Sequence, residues 1–250
     1  MRSNLRFSAS PQTHEGRVRS VNEDSLIARG DIGLWAVADG MGGHENGQWA
    51  SSTVVEALAE IAATGDFETD MAGARHALGV ANDRIRQEAE ARGNRMGSTV
   101  VMLMADGHSL ACAWVGDSRA YRLRDRKLER LTRDHTQVQD MIDRGLLKEE
   151  DAAGHPMSHV LSRAVGVEEV LRVDFVTGEV QAHDVYLLCS DGLTGLVSSE
   201  EIEAHLLASD PATAARNLLE LTLSRNAPDN VTIITVACEE MTALTLPGAD

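Results

Sequence analysis

The sequence predicts an α+β fold in which stacked sheets are covered by helices, and three observations lead to it. Two helix-period stretches, 47–63 and 71–91, come before a block of short β-rich segments between residues 98 and 131. Two further helical stretches, 199–207 and 211–224, come before a last strand at 231–237. Helices and strands fall in separate blocks, which suggests stacked sheets covered by helices. Hydrophobic residues are 43% of the 250, enough to close a core at this length. No repeat or linker divides the chain, so one domain over 1–240 is expected, with a loose tail over 241–250.

Leu5 to Ala9 alternates like a first strand. Leu34 to Ala38 is an apolar run that reads as a buried strand. Asp39 stands where it stops, and Gly40, Gly42 and Gly43 let the backbone bend and approach a ligand closely. The helix over 47–63 puts Ala50, Val54, Val55, Leu58 and Ile61 on one face. The helix over 71–91 carries the stripe Ala74, Leu78, Ala81, Ile85 and Ala89. Strands are expected at Ser98–Met104, Ser109–Val115, Ala120–Leu123 and Lys127–Leu131. Asp106-Gly107, Gly116-Asp117 and Asp125-Arg126 separate them as hairpin signals. Thr132 to Gly166 is mixed and lacks strong periodicity except around Val138–Leu147. Strands follow at Leu171–Val176 and Val185–Cys189, and Asp210-Pro211 is an N-cap and first-turn pair for the last helix.

The net charge is −16, from 23 basic and 39 acidic residues. That argues against a nucleic-acid groove. Cys112, Cys189 and Cys238 have no CxxC spacing and read as small core hydrophobes in a reducing compartment. No signal h-region or membrane-length apolar run is present, so a soluble, cytoplasmic protein is expected.

Acids stand at strand ends four times, far apart in sequence. Asp39 follows 34–38, Asp191 follows the run 185–190, Asp229 precedes 231–237, and Asn22-Glu23-Asp24 precedes Ser25-Leu26-Ile27. A single Asp-Gly step is more often a turn than a cation site. Four such acids read as one site assembled by folding.

These residues carry a family resemblance. Arg19-Ser20-Val21-Asn22-Glu23-Asp24, Ala38-Asp39-Gly40-Met41-Gly42-Gly43, Gly97-Ser98-Thr99, Val115-Gly116-Asp117-Ser118-Arg119-Ala120-Tyr121, Ser190-Asp191-Gly192-Leu193 and Asp229-Asn230-Val231-Thr232 occur in that order. The chain resembles the bacterial branch of the protein phosphatase 2C (PPM) family of metal-dependent protein serine/threonine phosphatases, over roughly Leu5 to Ala237. The resemblance implies an αββα sandwich of two central antiparallel sheets flanked by helices, with a two-metal centre at one end. It implies that Asp39 bridges two Mn²⁺ or Mg²⁺ ions and that the Gly40 carbonyl completes one of them. Asp191 and Asp229 would hold the first ion, and Glu23 the second, with Asp24 supporting the water shell. Asp117, with Asp191, would serve a third, weaker metal. Carboxylates, a carbonyl and water suit these hard cations, whereas zinc would favour His and Cys. Arg19 matches the family's phosphate-binding arginine.

Eukaryotic members carry a histidine near this centre, where this chain has Met41. His44 is a candidate general acid, a helix-start imidazole is an equal reading, and a metal-bound water is the other source of the proton. Residues 132–166 match the family's flap. Within it, His135 and His159 read as structural or substrate-contacting, and Arg163 as a solvated or substrate-facing charge. Gly97-Ser98-Thr99 reads as a sheet-packing motif supporting the centre. The implied partners are phosphorylated proteins, a serine/threonine kinase and its targets, with the chain itself a monomer. Two other readings share the fold: a catalytically weak phosphoprotein-binding regulator, and a small-molecule phosphatase. Retention of Glu23, Asp24, Asp39, Asp191 and Asp229 argues against the regulator.

Overall fold

The two faces of one strand explain the architecture. In β3 (Leu34–Met41), Leu34, Ala36 and Ala38 pack into one core while Trp35 and Val37 pack into another. Side chains alternate with a period of two along a strand, so a strand buried on both faces reads as a continuous apolar run. The same division recurs in β5 (Val100–Ala105) and β6 (Ser109–Val115). The computed structural model describes residues 5–43, 45–152 and 154–240, so the expected tail, 241–250, lies outside the described residues.

Two antiparallel sheets face each other. One has the order β1 (Leu5–His14), β11 (Val231–Glu240), β10 (Val185–Cys189), β7 (Arg119–Arg124), β8 (Lys127–Arg130). The other has the order β2 (Asp24–Arg29), β3, β5, β6, β9 (Asp174–Glu179), and the two-residue β4 (Gly97–Ser98) pairs with the end of β3. Between them lie Trp35, Leu103, Trp114, Tyr186, Leu188 and Ile234. Helices α1 (Glu45–Ala59) and α2 (Phe67–Arg92) cover the second sheet, burying Ala50, Val54, Leu58, Ala74, Leu78, Ala81 and Ile85. On the far side, α5 (Ser199–Ala208) and α6 (Pro211–Ser224) bury Ile202, Leu206, Ala214, Ala215 and Leu218 against Leu187, Cys189 and Ile233. The layers run α, β, β, α, as expected. All three cysteines are free and buried, and burial pushes the Cys112 thiol up to about 12.

The caps are local sequence chemistry. Asp210 Oδ1 accepts from Thr213 N at 3.0 Å with Pro211 in the first turn, and Ser198 with Glu201 closes a capping box on α5. One expected strand shifts. Leu171–Val176 becomes β9 at Asp174–Glu179, because Leu171 and Val173 are spent on the helix-side core. Between β8 and β9, 132–166 holds α3 (Gln137–Asp143) and a 3-10 turn (Glu149–Asp151). Bridges Thr136–Leu161 and Ser98–Val165 tie it to itself and to β4.

Candidate metal centre

The centre starts from the register of β2 on β3, which sets Asp24 directly opposite Asp39. Asp24 is buried, and its Oδ2 accepts from Ser190 Oγ at 2.8 Å, reaching across to the end of β10 in the other sheet. Its Oδ1 is buried with no hydrogen-bond partner among the described residues. Asp39 is held by its backbone: its N–H donates to Thr99 Oγ1 at 3.0 Å, and its carbonyl accepts from Thr99 N at 2.8 Å and Ser98 Oγ at 3.1 Å. The Gly97-Ser98-Thr99 motif thus supports this end of β3. Ser118 Oγ lies 2.7 Å from Thr99 Oγ1, which anchors the turn carrying Asp117.

Glu23 is placed by a separate set of bonds. Its N–H donates to Asn230 Oδ1 at 2.8 Å, while Asn230 Nδ2 donates to Glu15 O at 3.0 Å and Val21 O at 2.9 Å. Its carbonyl accepts from Ser51 Oγ at 2.6 Å and Gly40 N at 3.1 Å. The absence of a side chain at Gly47 of α1 is required here. A Cβ at that position would stand 2.2 Å from Glu23 Oε1 and 2.8 Å from the Gly40 carbonyl oxygen. Two expected metal-facing oxygens therefore meet over a glycine.

A cleft of about 900 Å³ opens here, lined by Arg19, Glu23, Asp39, Gly40, Asp117, Asp191 and Asp229, together with Met41 and His159. Of the expected ligands, only Asp24 stands behind the lining. Arg19 Nη2 donates to Asp229 Oδ2 at 3.0 Å. The carboxylates disturb one another. Burial raises the Asp39 carboxyl well above the usual range, and Asp24, Asp191, Asp117 and Asp229 push it further. Burial, then Asp229, raises Asp191, while a hydrogen bond from the Asp39 carboxyl opposes the rise. Burial takes Asp24 and Asp117 up to about 7. Crowded, desolvated acids are costly unless a cation compensates them.

This donor set fits a hard divalent ion. It is all oxygen, it includes a backbone carbonyl, and a buried carboxylate oxygen lacks a partner. Among the described residues no three Asp, Glu, His or Cys side chains are already disposed around one ion position. Magnesium-type sites commonly use one or two carboxylates and keep several waters, so pairs of acids with a carbonyl suffice.

The histidines divide. His135 is buried: its Nδ1 accepts from Gly116 N at 3.1 Å, its Nε2 lies 3.2 Å from Asp174 Oδ2, and Trp114 stacks on it at 6.2 Å. His159 is exposed at the cleft wall, 3.9 Å from Asp191 Oδ2. Arg163, half-buried, is paired with Asp174 at 2.7 Å. His44 lies outside the described residues. Sequence reasoning did not single out Ser51, Ser118, Ser190 or Asn230 as site residues. Asn230 and Ser190 lay inside quoted motifs, beside acids that drew the attention. Ser51 had no local signal, because it meets Glu23 only through the packing of α1.

Comparison with known proteins agrees with this geometry. The family model described as "Protein phosphatase 2C" matches residues 9–140. The serine/threonine protein phosphatase PstP of Mycobacterium tuberculosis is 38% identical over 234 residues, which are 92% of this chain. The chain spans only 44% of that relative's length. The solved structure of PppA, a regulatory component of T6SS in Pseudomonas aeruginosa, is 41% identical with a TM-score of 0.88, covering 94% of this chain and all of that one. The catalytic domain of PstP, solved in complex with two manganese ions, is 35% identical with a TM-score of 0.83, over 94% of this chain and 100% of its own. With the sandwich, the ordered motifs and the gathered acids all in agreement, the chain belongs to the protein phosphatase 2C family.

Proposed function

We propose that the protein is a Mn²⁺- or Mg²⁺-dependent phosphatase acting on phosphoserine and phosphothreonine in proteins. The observation that carries the reading is the meeting of Glu23, Asp39, Asp117, Asp191 and Asp229 with one arginine in a single cleft. Asp39, Asp191 and Asp229 would hold one ion, directly or through water, and Glu23 with Asp39 a second, supported by Asp24; the Gly40 carbonyl, which neighbours Glu23 Oε1 over Gly47, would complete one of them. Asp117 and Asp191 would serve a third. When bound, such ions would supply Lewis acidity at the phosphate and lower the pKa of water there towards neutrality. The manganese-bound relative supports that assignment.

The chain's own residues do the rest. Arg19 spends one N–H on Asp229; its fork carries five donors, so others can grip phosphate oxygens and orient the ester. Thr99, Ser98 and Asn230 hold Asp39 and Glu23 still, so little reorganisation accompanies reaction. His44 remains a candidate donor of the leaving-group proton. In the cell, we assign the substrates to the targets of a serine/threonine kinase and the protein to the cytoplasm, as a monomer. Consistent with that, no helix among the described residues is long and apolar enough to cross a membrane.

The test is turnover of a phosphothreonine peptide and p-nitrophenyl phosphate with and without Mn²⁺. Asp39→Asn and Asp191→Asn are expected to lose more than about 100-fold of it. Full turnover in both variants would refute the assignment.

A further inference from the structure

Beside the metal cleft lies a second one of about 730 Å³, walled by Ala89, Met96 and Val167, with Arg86, Glu90 and Arg95 also on its lining. Its volume falls in the range of ligand pockets. The two clefts share Met41 and Gly42. Met41 and Val167 meet over Gly97, where a Cβ would stand 2.8 Å from Met41 Cε and 3.2 Å from Val167 Cγ2. An apolar wall therefore runs without a break from the phosphate-binding end into the second cleft.

Val167 is 56% exposed, yet it is firmly held. The buried Asn82 of α2 clamps the chain on either side of it: its Oδ1 accepts from Gly166 N at 2.8 Å, and its Nδ2 donates to Glu168 O at 3.0 Å. Gly166, at φ +91°, lies so close to α2 that a Cβ would meet Ile85 Cγ2 at 2.1 Å. A buried amide thus fixes the backbone that presents an apolar side chain to water at the mouth of an apolar cleft. One exposed valine is ordinary. A clamped one that continues a pocket wall to the reaction cleft is a built surface.

We propose that this second cleft is the subsite for a large apolar side chain flanking the phosphorylated residue of a protein substrate. The inference rests on the phosphatase reading. Continuity across Met41 selects the occupant, because only a ligand extending beyond its phosphate reaches both clefts. Such pockets discriminate by roughly 10-fold or more.

The experiment compares phosphothreonine peptides with leucine or serine scanned through the flanking positions. At one or more positions, wild-type protein should show kcat/KM about 10-fold higher for leucine. Val167→Glu should bring that ratio close to one, and Val167→Ile should retain it. Turnover of p-nitrophenyl phosphate, which has no flanking residue, should stay within about twofold in both variants, and unchanged melting would show that the fold is intact. No leucine preference at any position, survival of the preference in Val167→Glu, or an equal loss on all three substrates would overturn the subsite. If the wild type turns over no phosphoester, the phosphatase reading itself fails. Binding of the same peptides carrying a phosphonate then judges the subsite: tighter binding of the leucine peptide that Val167→Glu abolishes supports it, and equal affinities overturn it.

Discussion

Asp24 and Asp39 face each other across adjacent strands, β2 and β3, in direct register. Like charges at opposed positions are destabilising, and here both carboxyls are pushed towards their neutral forms, chiefly by burial. The fold therefore concentrates electrostatic cost at the place where a divalent cation would relieve it. Mn²⁺ at about 100 times its dissociation constant should stabilise the protein by about 2.7 kcal/mol, or about 5–10 °C in Tm for this size. Asp24→Asn should melt higher than the metal-free wild type and gain less from Mn²⁺. Calorimetry with and without chelator checks this; an unchanged Tm on adding Mn²⁺ would count against the centre.

Gly47 tests how closely α1 must pack against the centre. Alanine is a better helix former than glycine by about 1 kcal/mol, yet its Cβ would land 2.2 Å from Glu23 Oε1. The Glu23 carboxylate has to move. The same Cβ would also stand 2.8 Å from the Gly40 carbonyl oxygen, a backbone atom, so the helix gain is offset and Gly47→Ala is expected to lower the Tm while weakening Mn²⁺ binding by roughly 10-fold. Titration calorimetry reads the affinity, and unchanged binding would show that Glu23 does not contribute at that position.

Much of this was legible in the sequence, for identifiable reasons. Strands buried on both faces, such as 34–38 and 185–189, announce themselves as apolar runs, and Asp39 and Asp191 mark where those runs end. The register that opposes Asp24 to Asp39 was not legible, because it is set by sheet pairing and not by local propensity. Nor was the partnership of Asn230 with Glu23, 207 residues apart. The β9 boundary failed because Leu171 and Val173 look like strand residues but pack as loop residues beneath α2. The short helix α4 (Asp191–Thr194) is too brief to carry a period.

Thr99 tests whether the backbone of Asp39 must be fixed. Its hydroxyl accepts the Asp39 N–H and also meets Ser118 Oγ. Thr99→Val keeps the shape but removes the acceptor, so a buried N–H loses its partner at a cost of about 1–3 kcal/mol. We expect kcat to fall with KM little changed, and Thr99→Ser to restore it. A fall confined to Tm, with kcat intact, would make Thr99 purely structural.

At the opposite end of β10 from Asp191, Asp184 supplies the pH dependence. Its buried carboxylate accepts from Arg124 Nε at 2.7 Å, Arg124 Nη2 at 2.6 Å, Tyr186 Oη at 2.7 Å and Gln181 N at 2.9 Å. Burial alone would raise its pKa, but these donors outweigh burial and hold it below the usual carboxylate range. A carboxyl with a depressed folded pKa stabilises above its unfolded value, near 3.9, and loses that contribution as pH falls through the folded one. Asp184→Asn should therefore cost about 2 kcal/mol at pH 7, or about 4–8 °C in Tm. Its difference from the wild type should start to shrink below about pH 4 and close only as pH falls through the lower folded value, with Mn²⁺ affinity unchanged. Melting temperatures measured from about pH 1.5 to 8 decide it: an equal offset at both ends would mean that shape, and not charge, is what Asp184 contributes.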